Sequence, residues 1–156
     1  MAAIIAFLKW LFSQDFWIDP EQVNPPIQPP VTDEDKLLLD MMNAIKVHEG
    51  DFPGSRSRRN NNAGNVKFSP VGYLAIYEPV KMDKDGFAIF KDYNTGWLYL
   101  RNLILSKARK HPEWNLSAFF REYAPPEDNN DTARYATVVA QAMDVSVFNW
   151  QLKNLL

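Results

Sequence analysis

The chain has 156 residues, of which 46% are hydrophobic and 13% aromatic, so it is long and apolar enough for one globular domain with a core of its own. A net charge of −2 gives no long-range attraction to nucleic acid, and no nucleic-acid partner is expected. The chain has no cysteine, which excludes disulfides and thiolate chemistry. Its two histidines lie far apart in sequence, so no metal site is expected, and no cofactor is expected either.

The N-terminal segment, residues 1–31, is predicted to be separate from the domain that follows. Residues 3–17 are apolar and aromatic, yet the run is shorter than the roughly 20 residues of a membrane-spanning helix. It has no basic leader or clear cleavage site, so it does not fit a cleavable signal peptide. We expect an interfacial helix that contacts a membrane surface or a partner such as a virion protein, followed by a proline-rich spacer over residues 24–30.

The first helix of the domain is predicted from Asp33 to about Glu49, with Thr32 as its N-cap. Its apolar residues recur at helical spacing, and Glu49, four residues after Ile45, falls on the same buried face. Burial disfavours a charged carboxylate and raises its pKa, as a general acid working near neutral pH requires. Two other interpretations stay open: a glutamate that leans into solvent, and one neutralised by a nearby arginine.

Gly50 is expected to end this helix in a left-handed conformation, and Pro53-Gly54 to turn the chain into a polar, basic loop that contains Arg56-Ser57-Arg58-Arg59. The run Asn60-Asn61-Asn62-Ala63-Gly64-Asn65 follows. Asparagine tolerates positive φ and bonds to nearby backbone, so the run is typical of turns. Its amides also donate and accept together, which suits sugar hydroxyls and N-acetyl groups.

The remaining elements predict a mainly helical α+β fold. Residues 66–90 are rich in β-branched and aromatic residues interrupted by turn signals, which indicates short strands and one hairpin at Asp83-Lys84-Asp85-Gly86. Four helices are predicted to follow, by their caps and prolines. They run from Asn94 or Thr95 to His111-Pro112, from Leu116 to Tyr123, from Asp131 or Thr132 to about Met143, and from Ser146 to Leu156.

Three motifs occur in an order that resembles the lysozyme-like peptidoglycan hydrolases and lytic transglycosylases of bacteriophages and bacteria. They are the helix-ending His48-Glu49-Gly50, the asparagine-rich loop ending at Asn65-Val66, and Phe87-Ala88-Ile89-Phe90 before Gly96-Trp97. The similarity extends from about Asp35 to Val145. The chain departs from the family pattern at Ala63, where proline is usual, and at Val66, where leucine is usual.

The resemblance implies a lysozyme-like domain over residues 32–156 with a small β-hairpin lobe. It also implies a glycosidase that cleaves the MurNAc-GlcNAc backbone of peptidoglycan glycan strands, with Glu49 as general acid and base. A phage virion or the bacterial periplasm and cell envelope would be its location. The alternative is a lysozyme-like structural or assembly module without turnover. An accessible Glu49 in an open groove favours the enzyme, whereas a Glu49 paired with arginine in a filled groove favours the module.

Further site residues follow from this resemblance together with side-chain chemistry. Polar groups of the sugars are expected to contact the loop amides, and pyranose rings to stack on flat aromatic faces, although core packing is the alternative for each aromatic. The substrate-binding candidates are Asn61, Asn62, Asn65, Phe87, Tyr93 and Tyr123. Trp97 is assigned to the core, and His48 is left out of the catalytic set because it points to another face of its helix.

Glycoside hydrolysis usually needs a second carboxylate. Asp83 and Asp85, in the predicted hairpin turn, are the candidates, although Asp-Gly is also ordinary hairpin chemistry. If neither reaches the cleft, Glu49 alone would serve as acid and then base, and the 6-hydroxyl of the substrate would close a 1,6-anhydro ring. The resemblance therefore leaves hydrolase and lytic transglycosylase both open.

Overall fold

The computed structural model of the chain describes residues 32–69 and 75–156. The predictions for the N-terminal segment, namely an interfacial helix and a proline-rich spacer within residues 1–31, lie outside the described residues, as do positions 70–74 of the predicted β region. In the described part of the chain, every helix is too short or too polar to span a membrane.

The first helix, α1, spans Asp33–His48, as the apolar periodicity predicts. The Thr32 hydroxyl accepts the backbone N–H of Asp35, and the Asp35 carboxylate accepts the backbone N–H of Thr32, so two orphan donors at the helix start are satisfied. Glu49 is the C-cap, and Gly50 adopts the predicted left-handed conformation with φ +68°. The chain therefore turns away from α1 directly after Glu49, which stands at the C-terminal end of the helix.

The basic segment that follows is a short helix, α2, at Arg56–Arg59, where a loop is predicted. Ser55 caps it, because its hydroxyl accepts the backbone N–H of Arg58 at 3.1 Å. Ser55, directly after Pro53-Gly54, provides an acceptor for a backbone N–H of the first turn. This N-cap explains why a short helix forms where a loop is predicted.

Among the described residues the small β lobe is one hairpin, as predicted. Strands β1 (Lys81–Met82) and β2 (Ala88–Ile89) pair antiparallel, with Lys81 opposite Ile89 and Met82 opposite Ala88. Gly86 has φ +87°, which closes the turn between them. A 3₁₀ turn at Ala75–Tyr77 precedes β1, and Tyr77, Ala88 and Phe90 form a small core of their own.

Three helices follow the hairpin: α3 (Tyr93–Lys110), α4 (Leu116–Tyr123) and α5 (Thr132–Ala142). The bounds predicted for α4 are confirmed, and α5 begins at Thr132, one of the two starts expected, and ends one residue before Met143. The start predicted for α3, Asn94 or Thr95, is wrong by at least one residue, because Asp92 is the N-cap and the helix begins at Tyr93. The Asp92 carboxylate accepts both the backbone N–H and the hydroxyl of Thr95, at 2.7 and 2.8 Å.

The predicted C-terminal helix from Ser146 to Leu156 is wrong, and only a 3₁₀ turn at Leu152–Leu155 forms. The backbone N–H of Leu152 donates to the Trp114 carbonyl at 2.8 Å, and that of Lys153 donates to the Pro112 carbonyl at 3.0 Å. In an α-helix these two N–H groups would donate to carbonyls four residues earlier in the same segment. Here they donate to carbonyls of the α3–α4 connection instead.

The main core lies between α1, α3, α4 and α5, with the C-terminal turn closing one side. Residues on α1 that the periodicity places inward, among them Met41 and Ile45, are fully buried. Trp97, assigned to the core, is only partly buried and packs against its edge. The described chain is therefore mainly helical with one two-stranded antiparallel sheet, which confirms the α+β class.

Candidate active site

Glu49 is half-buried at the end of α1 and accepts two hydrogen bonds from neutral donors. The Tyr135 hydroxyl donates to Oε1 at 2.8 Å, and the Asn65 Nδ2 donates to Oε2 at 3.1 Å. Burial raises the pKa of Glu49, while the hydrogen bonds from Tyr135 and Asn65 and the charge of Arg56 oppose that rise. The net shift is upward, so Glu49 stays protonated to a higher pH than an exposed glutamate and is suited to donate a proton.

Tyr135 is a site residue that the sequence analysis missed. It lies on α5, is 2% exposed, and stacks on the His48 ring with the two centroids 3.7 Å apart. Burial and the neighbouring Tyr123 and Glu49 raise its pKa well above the ordinary value, so the hydroxyl remains a donor. In sequence, Tyr135 has the same helical spacing as core residues of α5, and nothing local distinguishes it from them.

Of the predicted loop amides, Asn65 alone reaches Glu49. Asn62 is 1% exposed, and its Nδ2 donates to the carbonyls of Val66 and Ala88, both at 2.9 Å. Asn61 has φ +53° and donates its Nδ2 to the Phe90 carbonyl at 3.1 Å. We therefore correct the sugar-contact prediction for Asn61 and Asn62: their amides join the loop to the hairpin.

An open cleft of about 720 Å³ lies in front of Glu49 and Asn65. Phe87 and Asp85 line it from the hairpin, and Tyr123 lines it from α4. The Tyr123 hydroxyl donates to the Gly64 carbonyl at 2.5 Å, and a Cβ at position 64 would lie 2.6 Å from that hydroxyl oxygen. A side chain at position 64 would therefore have to displace the Tyr123 hydroxyl where the loop and α4 meet beside the cleft.

The cations that line this cleft are held by partners other than Glu49. Lys67 pairs with Asp128 at 2.7 Å, and Lys107 pairs with Glu122. Arg56 donates its Nε to the Oδ1 of Asn65 at 3.1 Å. Within residues 32–69 and 75–156, no Lys, Arg or His nitrogen forms an ion pair with Glu49. Its carboxyl is thus held by neutral donors in an open groove, rather than neutralised by an arginine.

The two candidates for a second carboxylate are placed differently. Asp83 lies outside the cleft lining, and its carboxylate accepts the Asn60 amide at 2.6 Å and the backbone N–H groups of Asp85 and Phe87 at 2.9 and 2.8 Å. Burial is the largest single effect and raises the pKa of Asp83, but these three hydrogen bonds and the charge of Arg56 together outweigh it, so that the pKa is lowered. Asp83 therefore holds the hairpin turn, whereas Asp85 lines the cleft with a side chain that is 48% exposed.

Tyr93 is separate from the cleft, contrary to its predicted contact with a sugar ring. Its hydroxyl donates to Asp51 at 2.5 Å, and the Arg58 guanidinium lies 4.5 Å from its ring centroid. Asp51 in turn bonds to Ser57 and pairs with Arg58. Tyr93 thus belongs to a polar cluster that joins the start of α3 to α2.

Replacing Tyr135 by phenylalanine is expected to raise the pKa of Glu49 further. The lost hydroxyl donates to the charged carboxylate and stabilises it, while the ring and its packing remain. A side-chain carboxyl NMR titration of Glu49 measures the shift. Tyr93→Phe removes a similar hydroxyl-to-carboxylate bond at Asp51 and serves as the control that leaves the Glu49 titration in place. An unchanged Glu49 titration in Tyr135→Phe would contradict the assignment of this hydrogen bond.

Comparisons of the chain with protein-family models, with curated proteins and with solved structures give no match.

Proposed function

We propose that this protein is a glycosidase of lysozyme-like fold that cleaves the MurNAc-GlcNAc backbone of peptidoglycan, with Glu49 as general acid and base. The observation that carries the proposal is a half-buried Glu49 with a raised pKa, held by two neutral donors at an open cleft. The motif resemblance supplies the substrate class and the expected location, a phage virion or the bacterial cell envelope.

In the first step Glu49 gives its proton to the glycosidic oxygen as the bond from that oxygen to C1 breaks, and the electron pair leaves with the oxygen. Positive charge develops on the sugar ring, and Glu49 becomes a carboxylate. The hydrogen bonds from Tyr135 and Asn65 are already directed at its two oxygens, so they stabilise that charge without rearrangement. Glu49 then takes a proton from the oxygen that attacks C1.

The carboxylates of the hairpin favour a route that uses Glu49 alone. The Asp83 carboxylate accepts hydrogen bonds from the Asn60 amide and from backbone N–H groups of the turn. The Asp85 side chain is 48% exposed, and its Oδ1 lies 3.4 Å from the Lys84 Nζ. Without a buried second carboxylate from the hairpin, attack by the substrate's own 6-hydroxyl is the simplest second step. We therefore propose lytic transglycosylation, with 1,6-anhydro sugars as products.

Asp85→Asn is expected to retain turnover within about twofold, because Glu49 alone transfers protons in the proposed route and the exposed Asp85 carboxylate takes no part in it. The products should remain anhydro muropeptides. The measurement is mass spectrometry of material released from purified sacculi. A loss comparable to that of Glu49→Gln, in a variant that stays folded, would instead indicate a hydrolase with two carboxylates.

A non-catalytic assembly module is the rival function, and the open groove at Glu49 is the observation against it. The test is incubation of the full chain with purified sacculi, followed by separation and mass spectrometry of soluble muropeptides. We expect glycan fragments that end in 1,6-anhydro MurNAc. Absence of any released saccharide across the acidic and neutral pH range, from a folded protein, would overturn the proposed function.

A further inference from the structure

The side-chain amide of Asn65 bridges a hydrogen-bond donor, Arg56, and a hydrogen-bond acceptor, the Glu49 carboxylate. Its Oδ1 accepts Arg56 Nε at 3.1 Å, and its Nδ2 donates to Glu49 Oε2 at 3.1 Å. An amide has one accepting end and one donating end, whereas a guanidinium only donates. With Arg56 in place, the accepting end of Asn65 is committed to it, and the donating end must face Glu49.

Arg56 is itself held in place by the hairpin. Its guanidinium carbon lies 3.6 Å from the centroid of the Phe87 ring, a stacked arrangement that suits a planar cation. The backbone N–H of Phe87 is bonded to Asp83, so the ring is tied to the turn. One face of Phe87, predicted to receive a sugar, thus supports Arg56.

We propose that Arg56 is a positioning residue: stacked on Phe87, it fixes the Asn65 amide so that Nδ2 donates to the carboxylate of Glu49. This inference rests on the proposed function, in which that carboxylate forms when the proton leaves. With the amide turned over, Oδ1 would face the carboxylate and repel it. Arg56 excludes that orientation, because its guanidinium can only donate and so requires the accepting oxygen of the Asn65 amide to face it.

The groups that face Glu49 come from four elements. Tyr135 of α5 and Tyr123 of α4 are neutral phenols, Asn65 comes from the loop, and Arg56 of α2 is the cation whose charge lowers the Glu49 pKa. Arg56 therefore acts in two ways, by its charge and by its bond to Asn65. Lysine at position 56 keeps the charge but loses the stacked, forked geometry, and glutamine loses both the charge and the stacking.

The experiment measures the Glu49 pKa by carboxyl NMR titration, and in parallel the rate of release from purified sacculi, for Arg56→Lys and Arg56→Gln. Both variants should raise the Glu49 pKa, with the larger rise in Arg56→Gln, and lower turnover about tenfold, the effect of losing one hydrogen bond to a charged group. Arg59→Gln is the matched control, since Arg59 lies on the same helix and donates to the Gly54 carbonyl. It should leave the pKa and the rate unchanged.

A double-mutant cycle with Asn65→Ala separates positioning from charge. If Arg56 acts through Asn65, Arg56→Lys should change little further once Asn65 is alanine. Independent, additive effects in the cycle, or an unchanged Glu49 pKa in Arg56→Lys and Arg56→Gln, would overturn the inference. Melting curves by circular dichroism confirm that each variant is folded. A wild-type chain without activity on sacculi would overturn the proposed function, while the NMR titrations would still decide whether Arg56 positions Asn65.

Discussion

Glu49→Gln is expected to lower the release of muropeptides from purified sacculi by at least ~10²-fold, the usual contribution of a general acid. Glutamine keeps the shape of the side chain, and its one oxygen accepts the Tyr135 hydroxyl, while the bond from Asn65 is lost. It has no acidic proton to give to the leaving oxygen. The far-UV circular dichroism spectrum and melting transition should stay close to wild type, because the main core contains no part of this side chain.

Glu122→Gln is the matched control, since Glu122 lines the same cleft but pairs with Lys107. It should retain most of the turnover. The pH dependence provides a second check. A general acid must be protonated, so the rate should fall as pH rises through the Glu49 pKa, and because that pKa is raised, the fall should occur above the range of an ordinary glutamate. Near-wild-type activity of Glu49→Gln would remove the carboxyl from the mechanism.

Gly96→Ala is expected to destabilise the fold by about 3 kcal/mol or more, at the upper end of overpacking substitutions. A Cβ at position 96 would lie 1.7 Å from the Asn61 carbonyl oxygen and 2.9 Å from its carbon. Both are backbone atoms, so no side-chain rotation relieves the collision. The gain in helix propensity, about 1 kcal/mol, does not offset it. Denaturant unfolding of the two chains measures the difference.

Gly86→Ala separates collision from backbone conformation. Gly86 has φ +87° and nothing within 4 Å of an added Cβ, so alanine there meets only the conformational cost, of order 1–2 kcal/mol. Gly96→Ala should be the more destabilising of the two. A Gly96→Ala chain as stable as wild type would show that the loop yields easily. If it does yield, the displaced Asn61 carbonyl should also disturb Asn65, and the Glu49 titration would report it.

The sequence by itself determined the elements whose causes are local. Thr32 and Asp35 cap α1 across three residues, Gly50 supplies the left-handed turn after Glu49, and Asp83 with Gly86 closes the hairpin. Each depends on hydrogen bonds or dihedral angles within a few positions, which residue type and spacing already specify. For the same reason the burial of Glu49 followed from its spacing to Ile45 on one helix.

The tertiary structure alone decided which side chains meet Glu49. Asn61, Asn62 and Asn65 carry the same amide, and their separate partners depend on where the hairpin carbonyls and the end of α1 lie in space. Tyr135 reaches Glu49 from 86 positions away, at a spacing that core residues share. The C-terminal residues follow the same rule, because their donors bond to the carbonyls of Pro112 and Trp114 rather than to a helix of their own. The local sequence is compatible with several hydrogen-bond partners for each of these groups. Which partner each group takes is decided by parts of the chain that are distant in sequence, so a local pattern does not specify it.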